Sequence, residues 1–191
     1  MNDDTLSLAT RVGLPDALRV LLADYPKDAW QAHRNFTGIV QFWLERHLMF
    51  RRLGDMMIAE TQQVLDQKAD PQAYAARLSR FGGMLLNQLH GHHQIEDQHY
   101  FPQLIGMETR LERGFGILDK DHHDLDGLLN RFAEGANRVL NVTANDSEFR
   151  NAAGDFLQDV TGFRGFLERH LTDEEELIVP VLLKHGSDGL H

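Results

Sequence analysis

Apolar residues recur three and four positions apart along four long stretches of the chain, with polar residues between them. This spacing places apolar side chains on one face of an α-helix, because a helix turns once every 3.6 residues. The predicted helices cover about residues 30–67, 71–104 and 108–139, and a fourth runs from about 146 to the Gly-rich tail. No stretch alternates apolar and polar residues as a half-buried strand does, so the predicted fold is all-α.

Turn chemistry places the helix ends. Asp70 is the predicted N-cap of the second helix and Pro71 lies in its first turn, the positions these residue types favour. Asp146 or Ser147 is expected to cap the fourth helix. Pro102 is expected to kink or end the second, because its ring displaces a backbone hydrogen bond one turn earlier.

Four long helices joined by short loops predict an antiparallel up-down-up-down four-helix bundle. We assign residues 28–185 to this bundle. Residues 1–27, called here the leader, contain a short amphipathic helix at 14–22, and we expect the leader to pack on the bundle without a functional role. Residues 186–191 are predicted to form a disordered tail.

Composition excludes several kinds of site. The chain of 191 residues is 42% hydrophobic, enough for one domain with a sizeable core. It has no cysteine, which removes disulfides, thiolate zinc sites, Fe–S clusters and cysteine nucleophiles. A formal charge of −10 argues against nucleic acid as a partner. We find no signal peptide or membrane-spanning segment, and so expect a cytoplasmic protein without a membrane partner.

One motif occurs twice. His92 is followed after four residues by Glu96, and His170 is followed after four residues by Glu174, with a proline ten residues after each histidine. Residues four apart project from the same face of a helix. Each copy therefore presents an imidazole and a carboxylate together, as a pair of metal ligands would.

Four histidines, one on each predicted helix, are equally far from the intervening turns: His47, His92, His122 and His170. With turns at residues 70, 107 and 146, neighbouring members lie 23 and 22, 15 and 15, and 24 and 24 residues from the turn between them. In antiparallel helices, such residues lie at one level. The two glutamates then lie one turn, about 6 Å, further toward the same end.

The other histidines are assigned differently. His93 would face Asp97, and His90 and His123 lie off the apolar stripes, so these three are left out of the site. His99 is expected to face inward, as an outer-sphere or additional ligand. Three histidines near segment ends are expected in solvent: His33, His185 and His191.

A single histidine on an apolar stripe is more often a hydrogen-bonded core residue, and a single His-xxx-Glu pair is often a surface ion pair. Six polar groups within apolar stripes favour a metal, because burying each without a partner would cost several kcal/mol. Four imidazoles and two carboxylates exceed one tetrahedral zinc site and suit two ions with bridging carboxylates. Iron is the leading candidate, then manganese, with zinc adventitious. Room would be left for an oxo or hydroxo bridge and a small ligand such as O2 or NO.

At these residues the chain resembles the hemerythrin-like (HHE cation-binding) family over about residues 30–185. The resemblance rests on His47, on His92xxxGlu96 with Tyr100-Phe101-Pro102, on Asp121-His122, and on His170xxxGlu174 with Pro180. It implies that the four histidines and two glutamates ligate a non-haem di-iron centre within a four-helix bundle.

The chain departs from the oxygen-carrying hemerythrins in one ligand. Those proteins carry a second histidine four residues after the one on the third helix, where this chain has Asp126. The ligand set resembles more closely the bacterial di-iron proteins implicated in nitrosative stress and Fe–S cluster repair, although their frequent Cys-containing N-terminal domain is not in this sequence. A ferritin-like site would need Glu-x-x-His on two helices, and only Glu96 and His99 provide it.

The leading hypothesis is a di-iron protein that binds or senses O2, NO or iron. One alternative is a redox enzyme or iron donor, acting in NO or peroxide reduction or in Fe–S repair. For that activity the sequence offers Tyr100 and His99 near the site and no dedicated acid–base pair. A metal-free helical interaction module is the other alternative. The sequence leaves a homodimer open.

Overall fold

A computed structural model of the protein describes residues 3–36, 38–187 and 190. Throughout these residues the regular structure is helical and there is no β-strand, which confirms the predicted all-α class. The α-helices are α1 (Ile39–Leu65), α2 (Pro71–Arg77), α3 (Gly83–Ile95), α4 (Phe101–Met107), α5 (Glu112–Asn141) and α6 (Asp146–His185). The antiparallel order of the helices stays a prediction, as do the domain limits.

Helices α2, α3 and α4 follow one another without a loop, joined by π-helical turns at Leu78–Gly82 and Glu96–Tyr100. The predicted second helix therefore continues past Pro102 to Met107, and its expected end near Leu104 is wrong. Pro102 has no N–H group, but it lies in the first turn of α4, directly after a π turn. There the Phe101 N–H already bonds back to Glu96 O, five residues earlier. A proline is tolerated at such a position because the regular hydrogen-bond ladder is already altered.

Two other helix starts differ from prediction. Helix α1 begins at Ile39 rather than near residue 30, because Gly38 has φ +50°, a left-handed conformation that a right-handed helix cannot contain. Residues Lys27–Ala32 form 3-10 turns instead. Helix α5 begins at Glu112, after a 3-10 turn at Thr109–Leu111.

One predicted cap is confirmed and one is wrong. The Asp70 side chain accepts a hydrogen bond from the Ala73 N–H at 2.7 Å, and Pro71 opens α2 as expected. At the start of α6 the capping side chain is Asn145, which accepts from the Glu148 N–H at 3.4 Å. Asp146, one of the two predicted caps, is instead the first helical residue.

The chain forms two compact units. The first comprises Met1–Leu48, His92–Asp124 and Glu168–His191. Its core contains apolar residues from the leader, among them Leu14, Leu18 and Leu21, so the leader packs within this unit. The amphipathic helix predicted at 14–22 is wrong, because this stretch forms only a 3-10 turn at Asp16–Leu18 followed by turns.

The tail predicted at 186–191 is only partly described. Residues 188, 189 and 191, including the predicted solvent-exposed His191, lie outside the described residues. Leu190 is buried and its N–H donates to Ser187 O at 3.0 Å.

The second unit comprises Met49–Gly91 and Leu125–Leu167. Its core includes Phe132, whose ring centroid lies 5.2 Å from that of Phe156 and 5.8 Å from that of Phe163. The buried Tyr74 hydroxyl is hydrogen-bonded to Thr61 Oγ1 at 2.8 Å. In the described part of the chain no helix has the length and apolar character needed to cross a membrane.

Candidate metal centre

All six predicted ligands lie together in the first unit, on four separate parts of the chain. They are His47 on α1, His92 on α3, Glu96 at the start of the second π turn, His122 on α5, and His170 and Glu174 on α6. Four of the six have no exposed surface, and the side chain of His92, the most exposed, is 11% accessible. The polar groups predicted on four helices therefore meet in one buried centre.

The four imidazoles form two close pairs. His47 Nε2 lies 3.1 Å from His92 Nε2, and His122 Nε2 lies 3.1 Å from His170 Nε2. Two nitrogens bonded to one ion at about 2.1 Å, with a bond angle of about 90–109°, are separated by roughly 3.0–3.4 Å. Each pair thus has the spacing of two ligands on one cation.

Each glutamate approaches histidines of both pairs. Glu96 Oε1 lies 3.0 Å from His92 Nε2, and its Oε2 lies 3.7 Å from His122 Nε2. Glu174 Oε2 lies 3.3 Å from His47 Nε2 and 3.7 Å from His170 Nε2. None of the four buried carboxylate oxygens has a hydrogen bond of good geometry to any described residue. Buried oxygens without donors are costly, and cations between the histidine pairs would satisfy them.

Three further carboxylates hold the outer nitrogens of the imidazoles. The pairs are His47 Nδ1 with Glu175 Oε1 (3.0 Å), His122 Nδ1 with Asp97 Oδ1 (2.7 Å), and His170 Nδ1 with Asp121 Oδ2 (3.4 Å). An ionised carboxylate accepts, so Nδ1 carries a proton, and in the neutral imidazole that ligates a metal the lone pair of Nε2 points inward. In that neutral form the Nε2 lone pairs of His122 and His170 face each other at 3.1 Å, and a proton or a metal ion between them would remove their repulsion.

Sequence analysis missed these outer carboxylates as partners. Each is adjacent in the sequence to a predicted ligand: Asp97 to Glu96, Asp121 to His122, and Glu175 to Glu174. Each nevertheless hydrogen-bonds a histidine on a different helix. Adjacency to a ligand was the available signal, but the pairing depends on how the helices face one another.

The pKa values of the two glutamates in the centre are shifted in opposite directions. Burial raises the pKa of Glu96 well above its usual range, and the nearby charge of Glu174 raises it further. Burial acts on Glu174 in the same direction, but His170 and His47 outweigh it and hold that pKa well below its usual range. Burial lowers the pKa of His92 to about 3. Burial opposes protonation of His47, but Glu174 and Glu175 outweigh it and raise that pKa. The protein groups alone thus favour one protonated and one ionised glutamate.

His93, which sequence analysis left outside the site, is buried at 4% exposure beside it. Neither of its ring nitrogens has a hydrogen-bond partner among the described residues. Its nitrogens lie near those of His122 and His170, but its ring stacks on that of His122 at 4.0 Å with only 10° between the planes. An ion lies close to the ring plane of each imidazole that binds it, and parallel planes do not meet. In this arrangement His93 and His122 cannot ligate the same ion, and His93 packs its ring on that of His122.

His99 is exposed, so its predicted inward orientation is wrong. It lies within the π turn Glu96–Tyr100, where one turn accommodates an extra residue and later side chains are rotated from their α-helical positions. Tyr100 is half-buried instead, with its ring 4.8 Å from that of Trp43.

The remaining predicted positions can be placed as follows. His90 and His123 are exposed, in agreement with their exclusion from the site, and Asp126 is exposed as well. His185 is exposed beside Glu108, while His33 is half-buried against Tyr25.

Comparison with known proteins shows the family to which the chain belongs. The model of the hemerythrin HHE cation binding domain matches residues 38–182, more than half of the chain. The chain belongs to this family. No curated protein and no solved structure gives a significant match. Metal binding is what the hemerythrin HHE domain indicates, and the imidazole and carboxylate groups of this chain suit it.

Proposed function

We propose that this hemerythrin-family chain binds two iron ions and uses them to bind or sense O2 or NO. The observation that carries the proposal is the pair of Nε2–Nε2 contacts, both 3.1 Å, with orphaned glutamate oxygens beside them. The proposed ligands are the six predicted from the sequence: His47, His92, Glu96, His122, His170 and Glu174.

The ligands divide between two positions. One ion would take His47 and His92, the other would take His122 and His170, and both glutamates would reach either ion. Imidazole and carboxylate donors without sulfur suit iron, with manganese or zinc as alternative occupants. Six protein side chains do not saturate two ions, and iron with open positions supplies binding of a diatomic ligand when it is loaded.

The protein's own contribution is orientation and exclusion of water. The outer carboxylates keep protons on the Nδ1 atoms and so hold the imidazoles in their ligating form. Burial keeps the centre free of bulk water, which strengthens the attraction between the ligands and a cation.

Metal analysis of paired variants tests the proposal. Wild-type protein reconstituted with iron(II) is expected to hold about two irons per chain, and His92→Ala and His122→Ala are expected to lose most of it. The exposed histidines His90 and His123 provide matched controls, and their alanine variants should keep the wild-type content. The ligand assignment is wrong if both site variants retain two irons, or if the controls lose as much.

A second candidate, redox catalysis or iron donation, is favoured by one observation. The ring of Trp43 lies 5.8 Å from that of His92 and 4.8 Å from that of Tyr100, so an oxidisable aromatic pair adjoins the centre. Reduced, anaerobic protein separates the two functions when O2 or NO is added. Uptake that reverses when the gas is removed supports binding or sensing. Rapid irreversible oxidation, slowed in Tyr100→Phe, supports redox activity.

A further inference from the structure

The leader contributes a buried cation to the surroundings of the proposed centre. Arg11 is 3% exposed, and its Nε donates to Asp173 Oδ2 at 2.7 Å. Its Nη1 donates to Asp121 Oδ1 at 2.8 Å, and its Nη2 contacts the other oxygen of the same carboxylate. Arg11 therefore binds Asp121 in a bidentate arrangement, the strongest geometry for a guanidinium and a carboxylate.

Asp121 is also the carboxylate behind a proposed ligand. Its Oδ2 lies 3.4 Å from His170 Nδ1. Arg11, Asp121 and His170 therefore form a continuous chain of contacts from the leader to the proposed ion. Moving Arg11 would release the carboxylate that fixes the orientation and tautomer of His170.

The three side chains of this cluster do not balance one another in charge. One guanidinium faces two carboxylates, and all three side chains are at most 2% exposed. The cluster thus buries one excess negative charge, which is unfavourable unless a positive charge is nearby. A metal ion on the Nε2 of His170 would supply it.

The loop that carries Arg11 is held by Asp173 of this cluster and by Arg169. The Leu14 N–H donates to Asp173 Oδ1 at 2.9 Å, and Arg169 Nη1 donates to Leu8 O at 2.9 Å. Val12, next to the buried Arg11, is 96% exposed, so the chain turns outward directly after the guanidinium is placed.

We propose that Arg11 is a positioning residue that couples docking of the leader to metal binding at His170. The coupling rests on the proposed function and is reciprocal: bound metal holds the leader in place, and the docked leader slows metal release.

The first experiment measures release of iron(II) from loaded protein to a chromogenic chelator. Arg11→Gln is expected to release iron about 10- to 100-fold faster than wild type, if the usual loss of affinity on removing an outer-shell partner appears as faster release. Arg19→Gln is the matched control, since Arg19 is in the same leader but bonds Asp16 and Glu176. It should stay within about twofold of wild type. Arg11→Lys keeps the positive charge but loses the bidentate contact, so its rate of iron release should lie between those of wild type and Arg11→Gln. Equal acceleration in Arg11→Gln and Arg19→Gln would show that any loss of leader contacts speeds release, with no special path through Asp121, and that result would overturn the proposal.

The second experiment needs no variant. Trypsin cleaves after arginine, and the bond after Arg11 is protected only while the guanidinium is docked. Because the coupling is reciprocal, a roughly 10-fold effect of the leader on metal affinity implies that chelator-treated wild-type protein is cut there about 10-fold faster than iron-loaded protein. Cleavage after Lys68, an exposed residue in the loop before α2, reports any general loosening. An unchanged ratio of the two cleavage rates would overturn the coupling, even if Arg11→Gln proved too unstable to study.

The outcomes separate this inference from the function it rests on. Wild-type protein that takes up no iron(II) refutes both. Wild-type protein that binds two irons, with Arg11→Gln releasing them at the wild-type rate, refutes only the role of the leader.

Discussion

Glu96 and Glu174 occupy the same centre, yet replacing each with glutamine should have different effects on the metal-free protein. Glu174 is the ionised member of the pair, because its Oε2 lies 3.3 Å from His47 Nε2 and the pKa of His47 is raised by Glu174 and Glu175 against the effect of burial. Glu174→Gln removes the negative charge that lies 3.3 Å from His47 Nε2, and only Glu175, on the Nδ1 side, remains to balance a proton on that imidazole. Breaking a buried ion pair in this way costs about 3–5 kcal/mol of unfolding free energy.

Glu96 is the protonated member, since burial and the charge of Glu174 raise its pKa. Glutamine has nearly the shape of a protonated glutamate, so Glu96→Gln exchanges one neutral group for another. We expect it to change the unfolding free energy by only about 1 kcal/mol or less, the size of one hydrogen bond. In both variants metal binding should fall sharply, because each loses an anionic ligand.

Urea unfolding of chelator-treated protein at pH 7, followed by circular dichroism, measures the difference. With a denaturant slope of about 2 kcal/mol per M, the midpoint should fall by about 2 M in Glu174→Gln and by no more than about 0.5 M in Glu96→Gln. Glu45→Gln, at an exposed position of α1, controls for loss of one carboxylate. Equal losses in the two site variants, or a larger loss in Glu96→Gln, would refute this assignment of the proton.

Three further predictions follow from the described contacts. Burial raises the pKa of Tyr74 to about 12, so the hydroxyl loses its proton at a lower pH in the unfolded chain than in the folded protein. The free energy of unfolding should therefore fall between about pH 10 and pH 12, by up to about 1.4 kcal/mol per pH unit. Urea unfolding of Tyr74→Phe over the same pH range should lack this fall. A Cβ on Gly114 would lie 2.9 Å from Leu177 Cδ1 and 3.1 Å from Leu18 O, so Gly114→Ala should lower the free energy of unfolding by about 1–3 kcal/mol. A Cβ on Gly116 would meet nothing within 4 Å, so Gly116→Ala should raise the free energy of unfolding by roughly 0.5–1 kcal/mol. Similar thermal midpoints in both variants would contradict this packing. Iron(II) at about 100 times its dissociation constant should stabilise wild-type protein by about 2.7 kcal/mol for each ion bound, and a thermal shift of the same size in His92→Ala would place the binding elsewhere.

Sequence periodicity determined the helical class because side chains three and four residues apart share a helical face wherever the backbone is α-helical. The same local rule identified the cap at Asp70 and the His-xxx-Glu pairs. Equal distances from the turns grouped His47, His92, His122 and His170, which the structure brings to within one centre. These inferences needed only the regular rise and turn of a helix.

The rule failed where the backbone departs from the α-helix. Gly38, in a left-handed conformation, delays the start of α1 beyond the point that the apolar pattern suggests. The π turn at Glu96–Tyr100 rotates His99 into solvent and lets the helix run on through Pro102. A single sequence does not reveal a π turn, because it adds a residue to a turn without changing the residue types around it.

Tertiary structure alone decided which groups surround the proposed ligands. His93 stacks on His122, and Arg11 reaches Asp121 across 110 positions of sequence. The apolar pattern of the leader gave no sign of this contact, since a buried arginine looks like any exposed one until its carboxylate partners are in place. Ligand residues follow from spacing within helices, whereas the charges that orient them follow from contacts between distant parts of the chain.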